Sequence, residues 1–392
     1  MDFEYGPEEK AFQAQVRQFL KDNYDPEVMD PTREGMAQLV DTPKRRAFMK
    51  KLSERGWLGM TWPEEYGGSE REGVYEYLLN ERLAAVGAPQ IGKGVGIIGK
   101  TLIRHGSDKL KAEFLPKILH NEIEFAIGYS EPNAGSDAAA MALKAVRDGD
   151  GWRLNGQKIF TTSAHFAEWY WVGARTDPES KHHGITLFLL PMSTPGLTVQ
   201  GMETIGEDRT NQVFFDNVYV GDDYRVGELN KGFQYISEAL DLERFTMFTF
   251  SPSEKRFELL RDYVRTAERD GKPLRDDPIV RQKIAWLATQ TEVARALGFK
   301  FLSESRKGGA APTCEASMYK LYATEHSQRV ANAALDICGA AGQLRVRTEE
   351  APMKGRFEGT YRATVVETVG GGSSEIQKNI IARRKLGLPR NF

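Results

Sequence analysis

Only two cysteines, Cys314 and Cys338, occur in 392 residues. They do not form a C-x-x-C pair, which argues against a disulfide framework or a thiolate zinc site and fits a reducing compartment. The six histidines are His105, His120, His165, His182, His183 and His326, and no two stand at the i, i+4 spacing of a helical metal pair. A G-x-S-x-G nucleophile elbow is also missing. No apolar run approaches the ~18 residues that a membrane span needs. Charge of one sign is lacking too: 53 Lys and Arg face 55 Asp and Glu, a net charge of −2, which disfavours nucleic acid or an anionic membrane as partner. The opening Met1-Asp2-Phe3-Glu4-Tyr5 is acidic and has no apolar segment of a signal peptide, so the cytoplasm is the expected location. Hydrolase and zinc chemistry lose support, and no metal is expected.

What is present is ordinary globular material, 40% apolar and 28% charged. The length suggests two or three domains. Apolar residues recur at helical spacing from Pro7, from Arg45 to Arg55, from Tyr75 to Val86 and from Lys109 to Leu119. The pattern changes near Phe125. Trp169–Ala174, Ile185–Leu190, Leu197–Gln200 and Val213–Val220 read as strands, and Asn155-Gly156 reads as a hairpin turn between Trp152–Leu154 and Gln157–Phe160. From Gly232 onward long helical stretches return: Phe233–Phe250, Ser253–Arg269, Ile279–Arg306, Ala316–Cys338 and one after Ser373, which suggests an antiparallel bundle. The expected fold class is α+β: an N-terminal helical domain (1–124), a central β domain of barrel or sandwich type (125–231) and a C-terminal four-helix bundle (232–392).

Four segments could carry chemistry. Gly94-Val95-Gly96-Ile97-Ile98-Gly99 matches G-x-G-x-x-G, but a helix precedes it and no βαβ unit follows, so it reads as a glycine-rich helix–helix connection. Gly128 to Asp137 packs turn formers and two hydroxyls into ten residues and could wrap a planar polar ligand, although taken alone a plain surface turn is the simpler reading. Phe160-Thr161-Thr162-Ser163 places an aromatic beside hydroxyls, and an ordinary strand end explains it as well. Glu243, in Leu240-Asp241-Leu242-Glu243-Arg244, lies toward the apolar side of its helix, where a carboxylate is costly unless paired or functional; surface glutamates are nevertheless far commoner.

Together these segments resemble the acyl-CoA dehydrogenase family over nearly the whole chain. Trp57 to Gly68 looks like the family's N-domain loop. Tyr129-Ser130-Glu131-Pro132 with Gly135-Ser136-Asp137 is similar to its flavin loop, Asn155-Gly156-Gln157-Lys158 to its N-G-x-K, and Ser374-Glu375-Ile376-Gln377 to its C-terminal S-x-I-Q. The resemblance implies FAD as cofactor, an acyl-CoA substrate and an electron-transferring flavoprotein as electron acceptor. It places Tyr129, Ser130, Ser136, Phe160, Thr162, Gly339, Gly342, Gly371, Ser373 and Glu375 at the cofactor, and Ser136, Asp241, Arg244 and Gly371 at the substrate. Phe160 stands where the family has tryptophan.

Most members carry the catalytic base in Y-E-G-T-S-x-I-Q, and the alignment puts Gly371 at that glutamate. Members similar to isovaleryl-CoA dehydrogenase carry the base in L-D-L-E-R, which Leu240 to Arg244 matches letter for letter. The resemblance therefore implies Glu243 as base. Two departures stand out. Arg269 to Pro278 lacks the R-x-x-F-G segment that reaches a neighbour's FAD, and the later G-G-x-G reads Gly339-Ala340-Ala341-Gly342. These departures resemble the heteromeric acyl-CoA dehydrogenases of steroid side chains, with a homotetramer or an α2β2 heterotetramer expected. A non-catalytic subunit of such a heteromer and a flavin monooxygenase on the same scaffold are the competing readings.

Overall fold

The computed structural model describes residues 4–32, 40–247, 249–306, 312–346 and 348–389; the side chains of 241–247 lie outside the described residues. Five helices come first: α1 (Pro7–Asp22), α2 (Pro43–Glu54), α3 (Gly73–Ala85), α4 (Lys100–His105) and α5 (Asp108–Leu119). Their starts follow local chemistry. Pro7 and Pro43 occupy first-turn positions where no amide is needed, and the Thr42 hydroxyl accepts from the Arg45 amide. Phe12, Val16, Phe19, Leu52, Leu79 and Leu83 then bury the inner faces in one helical core.

The central region holds β1 (Phe125–Gly128), β2 (Lys144–Asp148), β3 (Gly151–Lys158), β4 (Trp169–Arg175), β5 (Ile185–Pro191), β6 (Leu197–Glu203), β7 (Arg209–Gly221) and β8 (Arg225–Val226). They form one eight-stranded sheet in the order β6-β7-β3-β2-β4-β5-β8, with β1 parallel to β4. The sheet closes around Trp152, Leu154, Tyr170, Val172, Phe188, Leu190, Val213 and Val218. The opposite faces of β4 and β5 do not meet water. Trp171, Ile185, Leu187 and Leu189 join the helical core instead. Burial on both faces is why these two strands read as continuous apolar runs.

The bundle contains α6 (Gly232–Met247), α7 (Ser251–Thr266), a short hairpin of β9 (Glu268–Arg269) and β10 (Lys272–Pro273), then α8 (Pro278–Ser305), α9 (Thr313–Cys338), α10 (Arg356–Glu367) and α11 (Ser374–Arg384). Helix α9 packs against α7, α8, α10 and α11 and forms the bundle's axis. Among the described residues no helix is long and apolar enough to cross a membrane.

Two local expectations fail. Asn155-Gly156 is not a turn. Strand β3 runs straight through it, and Asp216 and Asn217 of β7 together oppose Asn155 in a β-bulge, with Leu154 paired to Val218 and Gly156 to Phe215. Asn217 takes the left-handed conformation (φ 53°), and its amide donates to Asn155 Oδ1 at 2.8 Å. The hairpin turn is Gly149-Asp150, closed by the Asp148–Gly151 pair, with Gly149 at φ 59°. Gly94–Gly99 is not a connection either. It is a π-helical turn that leads directly into α4. The Trp62 indole fills the space a side chain at Gly99 would need: a Cβ there would lie 2.1 Å from Cζ2. The π turn in turn packs against α6.

Candidate active site

The Gly128–Asp137 loop is fixed by a buried ion pair that sequence reasoning passed over. Lys158, fully buried at the end of β3, donates to Glu131 Oε1 at 2.7 Å and to the Tyr129 carbonyl at 3.3 Å. Glu131 also accepts from the amides of Ala142 (2.6 Å) and Leu143 (2.9 Å). A charge this deep survives only when paired and hydrogen-bonded on every side. Burial pushes the Lys158 ammonium down to about 8, against the pull of Glu131. The pair clamps the loop to the strand end, and the Ile159 amide adds a bond to the Ser130 carbonyl at 2.9 Å. Two opposite charges, each inside a motif of glycines and turn formers, were the available sign.

Past the clamp the strand turns sharply. Phe160 (φ 56°) and Ser163 (φ 72°) both adopt left-handed backbone, which costs a side-chain-bearing residue about 1–2 kcal/mol. The turn is held from below. Thr161 is buried, its amide bonds the Asn211 carbonyl, its own carbonyl accepts from Asn211 Nδ2 at 2.9 Å, and its hydroxyl meets the Tyr170 hydroxyl at 3.1 Å. Lys93, just before the π turn, donates to the Thr162 carbonyl at 3.2 Å. The outcome is a Phe160 ring 61% exposed, beside half-buried Thr162 and Ser130. An exposed aromatic face held in strained backbone next to two hydroxyls suits a planar, polar, heteroaromatic ring, and flavin fits that description. Ser136 is exposed in the same loop, next to the Asp137–Lys181 ion pair of 2.7 Å. Tyr129 turns inward, its hydroxyl accepting from Trp171 Nε1 at 2.8 Å.

The second group of residues lies at the start of α11. The Ser373 side chain caps this helix through the Ile376 amide. Glu375 is exposed, and hydrogen bonds from its own backbone amide and from Ser373 hold its carboxyl below the usual range. Gly371 (φ 66°) and Gly372 (φ 92°) are both left-handed. Gln377, 1% exposed, donates back to the carbonyls of Gly371 (3.2 Å) and Gly372 (3.0 Å). The S-x-I-Q glutamine is thus a brace for the glycine turn.

Gly339 and Gly342 are not brought to either group. They follow the C-terminus of α9, whereas the Gly372 turn meets α9 at Lys320. The 18 residues from 320 to 338 span about 27 Å of helix at ~1.5 Å each. At that far end the Arg269 guanidinium, in the β9–β10 hairpin, donates to the Ile337 carbonyl. The two segments that depart from the family pattern are therefore neighbours in space.

Helix α6 carries the L-D-L-E-R segment. It leaves the β domain and packs against β5, the π turn, α3 and α9. The side chains of Asp241, Glu243 and Arg244 lie outside the described residues. The corner after α6 is fixed by Glu81 of α3, buried, which accepts from the Ser251 amide at 3.1 Å and from the Phe250 amide and Ser251 hydroxyl. Burial raises the carboxyl of Glu81 above its ordinary range.

Comparison with known proteins agrees along the full length. The family description "Acyl-CoA dehydrogenase, N-terminal domain" matches residues 6–122, the middle domain 126–218 and the C-terminal domain 230–386. Acyl-CoA dehydrogenase FadE26 of Mycobacterium tuberculosis is 30% identical, covering 100% of this chain and 99% of its own. Among solved structures, the ChsE4-ChsE5 complex from Mycobacterium tuberculosis superposes with a TM-score of 0.88 at 30% identity, and the Tcur3481-Tcur3483 steroid ACAD with 0.87 at 31%, each covering 100% of both chains. Three domain matches in order, on a helical–β–helical fold of the same shape, establish that this chain belongs to the acyl-CoA dehydrogenase family and is an FAD-dependent oxidoreductase.

Proposed function

We propose that the chain dehydrogenates an acyl-CoA thioester to the 2-enoyl-CoA, with Glu243 as the base that removes the α-proton. The observation that carries this reading is Gly371. The position at which the resemblance places the glutamate of most family members holds a residue without a side chain, on left-handed backbone (φ 66°) that an L-residue would adopt only under strain. L-D-L-E-R on α6 supplies the replacement carboxylate. In this reading the domains are 1–124, 125–231 and 232–392.

FAD, when bound, supplies the acceptor for the hydride leaving the β-carbon. Ser130, Phe160 and Thr162 would hold its ring, and the Glu131–Lys158 clamp keeps their backbone in place. Ser136, Asp241 and Arg244 would hold the CoA portion. Glu243 takes the proton from carbon two, and the electron pair moves onto the thioester carbonyl, where the Gly371 amide donates a hydrogen bond. A base buried beside its substrate gains basicity because water no longer stabilises its anion. Electrons then leave to an electron-transferring flavoprotein.

A homologous subunit is the favoured partner. Ile279, Trp286 and Val293 recur every seven residues along one face of α8 and are 64%, 49% and 38% exposed. This stripe, with the altered FAD segments at one end of the bundle, supports an assembly like the heteromeric steroid enzymes named above. In that assembly this chain is the base-bearing subunit.

Anaerobic titration with a panel of acyl-CoA thioesters, branched, aromatic, long-chain and sterol-derived, alone and with a homologous partner, tests the proposal. Flavin bleaching by at least one thioester is expected. Glu243→Gln should abolish bleaching while FAD stays bound, and a comparable rate in this variant would refute Glu243 as base.

A further inference from the structure

Lys320 is among the most deeply buried charged side chains of the bundle, 1% exposed on the inward face of α9. Its Nζ donates to the Gly372 carbonyl at 2.6 Å. The same carbonyl accepts from Gln377 Nε2 at 3.0 Å, and Gln377 also reaches the Gly371 carbonyl. Two side chains from two helices thus converge on a two-glycine turn. A side chain at 372 would be strained at φ 92°, and its Cβ, 2.8 Å from Gln377 Nε2, would push that brace aside. The flanking amides are occupied, Gly370 by the Val366 carbonyl and Ser374 by the Thr368 carbonyl. Among the described residues, the amides that lie between them, of Gly371, Gly372 and Ser373, have no hydrogen-bond acceptor.

A buried ammonium costs several kcal/mol in desolvation, and its hydrogen bond to the Gly372 carbonyl couples that charge to the glycine turn. Glycine turns are intrinsically mobile, and a donor that must meet a developing oxyanion works only if it is fixed beforehand. We propose that Lys320 is a positioning residue for the dehydrogenation: by holding the Gly372–Ser373 peptide it fixes the glycine turn so that the Gly371 amide faces the thioester oxygen, and its charge favours the enolate formed there. This inference rests on the acyl-CoA reading given above. When the C2–H bond breaks, the proton goes to the base and the electron pair to the thioester oxygen. Lys320 touches neither and acts through the peptide it holds.

The test uses the FAD-loaded protein and a 3-thiaacyl-CoA. This analogue can lose its α-proton but carries sulfur in place of the β-carbon and has no hydride to give. Its enolate on the oxidised flavin produces a long-wavelength charge-transfer band, and the pH midpoint of that band measures enolate stabilisation independently of turnover. Lys320→Met is expected to raise the midpoint by about one unit, a tenfold loss of enolate stabilisation. The analogue's dissociation constant, measured where it is fully protonated, should change by less than about threefold, because the ground state places little charge on the oxygen. Gln377→Leu should move the midpoint in the same direction. An unchanged midpoint in Lys320→Met with normal flavin content overturns the inference and leaves the lysine a packing residue. Should Lys320→Met lose FAD, Gln377→Leu carries the test by the same criterion. A wild-type protein that forms no band with any acyl length overturns the acyl-CoA reading itself.

Discussion

Replacing Lys158 by methionine removes a charge from a fully buried site. The stem packs as before, but Glu131 keeps only the amides of Ala142 and Leu143 as donors. Removing one partner of a buried pair costs about 3–5 kcal/mol, because the remaining charge is left uncompensated. Unfolding entropy of about 2.1 cal/mol/K per residue gives about 0.8 kcal/mol per kelvin for the whole chain. The melting temperature should therefore fall by about 4–6 °C if the chain unfolds as one unit, and further if the β domain opens alone. FAD retention, read from flavin absorbance after gel filtration, should fall in parallel, since the Ser130 and Phe160 backbone is anchored through this pair. Adding Glu131→Gln to Lys158→Met removes the stranded charge and should restore part of the lost stability, short of the full amount because the glutamine NH2 cannot accept from the second of the two amides. A Lys158→Met protein that melts like wild type and keeps its FAD would refute the clamp.

Two further variants probe the scaffold. Gly99→Ala pushes a methyl group into the Trp62 indole and should cost about 1–3 kcal/mol, visible as a lower melting temperature. His326, fully inside the bundle with Nε2 on the Thr291 hydroxyl at 2.9 Å, is pushed down to about 4 by burial, with Arg329 adding to the shift. Its contribution is present above the ordinary value near 6.5 and is lost as pH falls from there through about 4, because only the unfolded chain binds the proton in that window. His326→Leu should flatten this acid limb in urea unfolding followed from pH 7 to 4; an unchanged limb would assign it to other groups.

The fold was largely legible because its signals are local. Pro7, Thr42-Pro43 and Ser373 mark helix starts by their own chemistry, and helix periodicity follows one buried face. The misses are places where two local signals compete and packing chooses. Asn155-Gly156 and Gly149-Asp150 both carry turn chemistry. Pairing of β3 with β7 on both sides of Asn155 keeps the chain extended there and leaves the turn to Gly149. Helix α10 was not anticipated because three of its apolar residues, Val365, Val366 and Tyr361, face outward. The π turn was invisible because the indole that packs on Gly99 comes from Trp62, more than thirty residues earlier.

The site divides in the same way. Residue identity alone laid out the candidate chemistry: a glycine where the resemblance places the carboxylate of most family members, a carboxylate in L-D-L-E-R, and hydroxyls and an aromatic at a strand end. Tertiary structure alone decided what holds these groups still. Lys158, Lys320 and Glu81 act on backbone that lies far away in sequence, and no spacing rule connects a lysine on α9 to a glycine turn some fifty residues later. Charges buried in pairs or on carbonyls are stable only in a completed interior, so their roles exist only once the chain has folded.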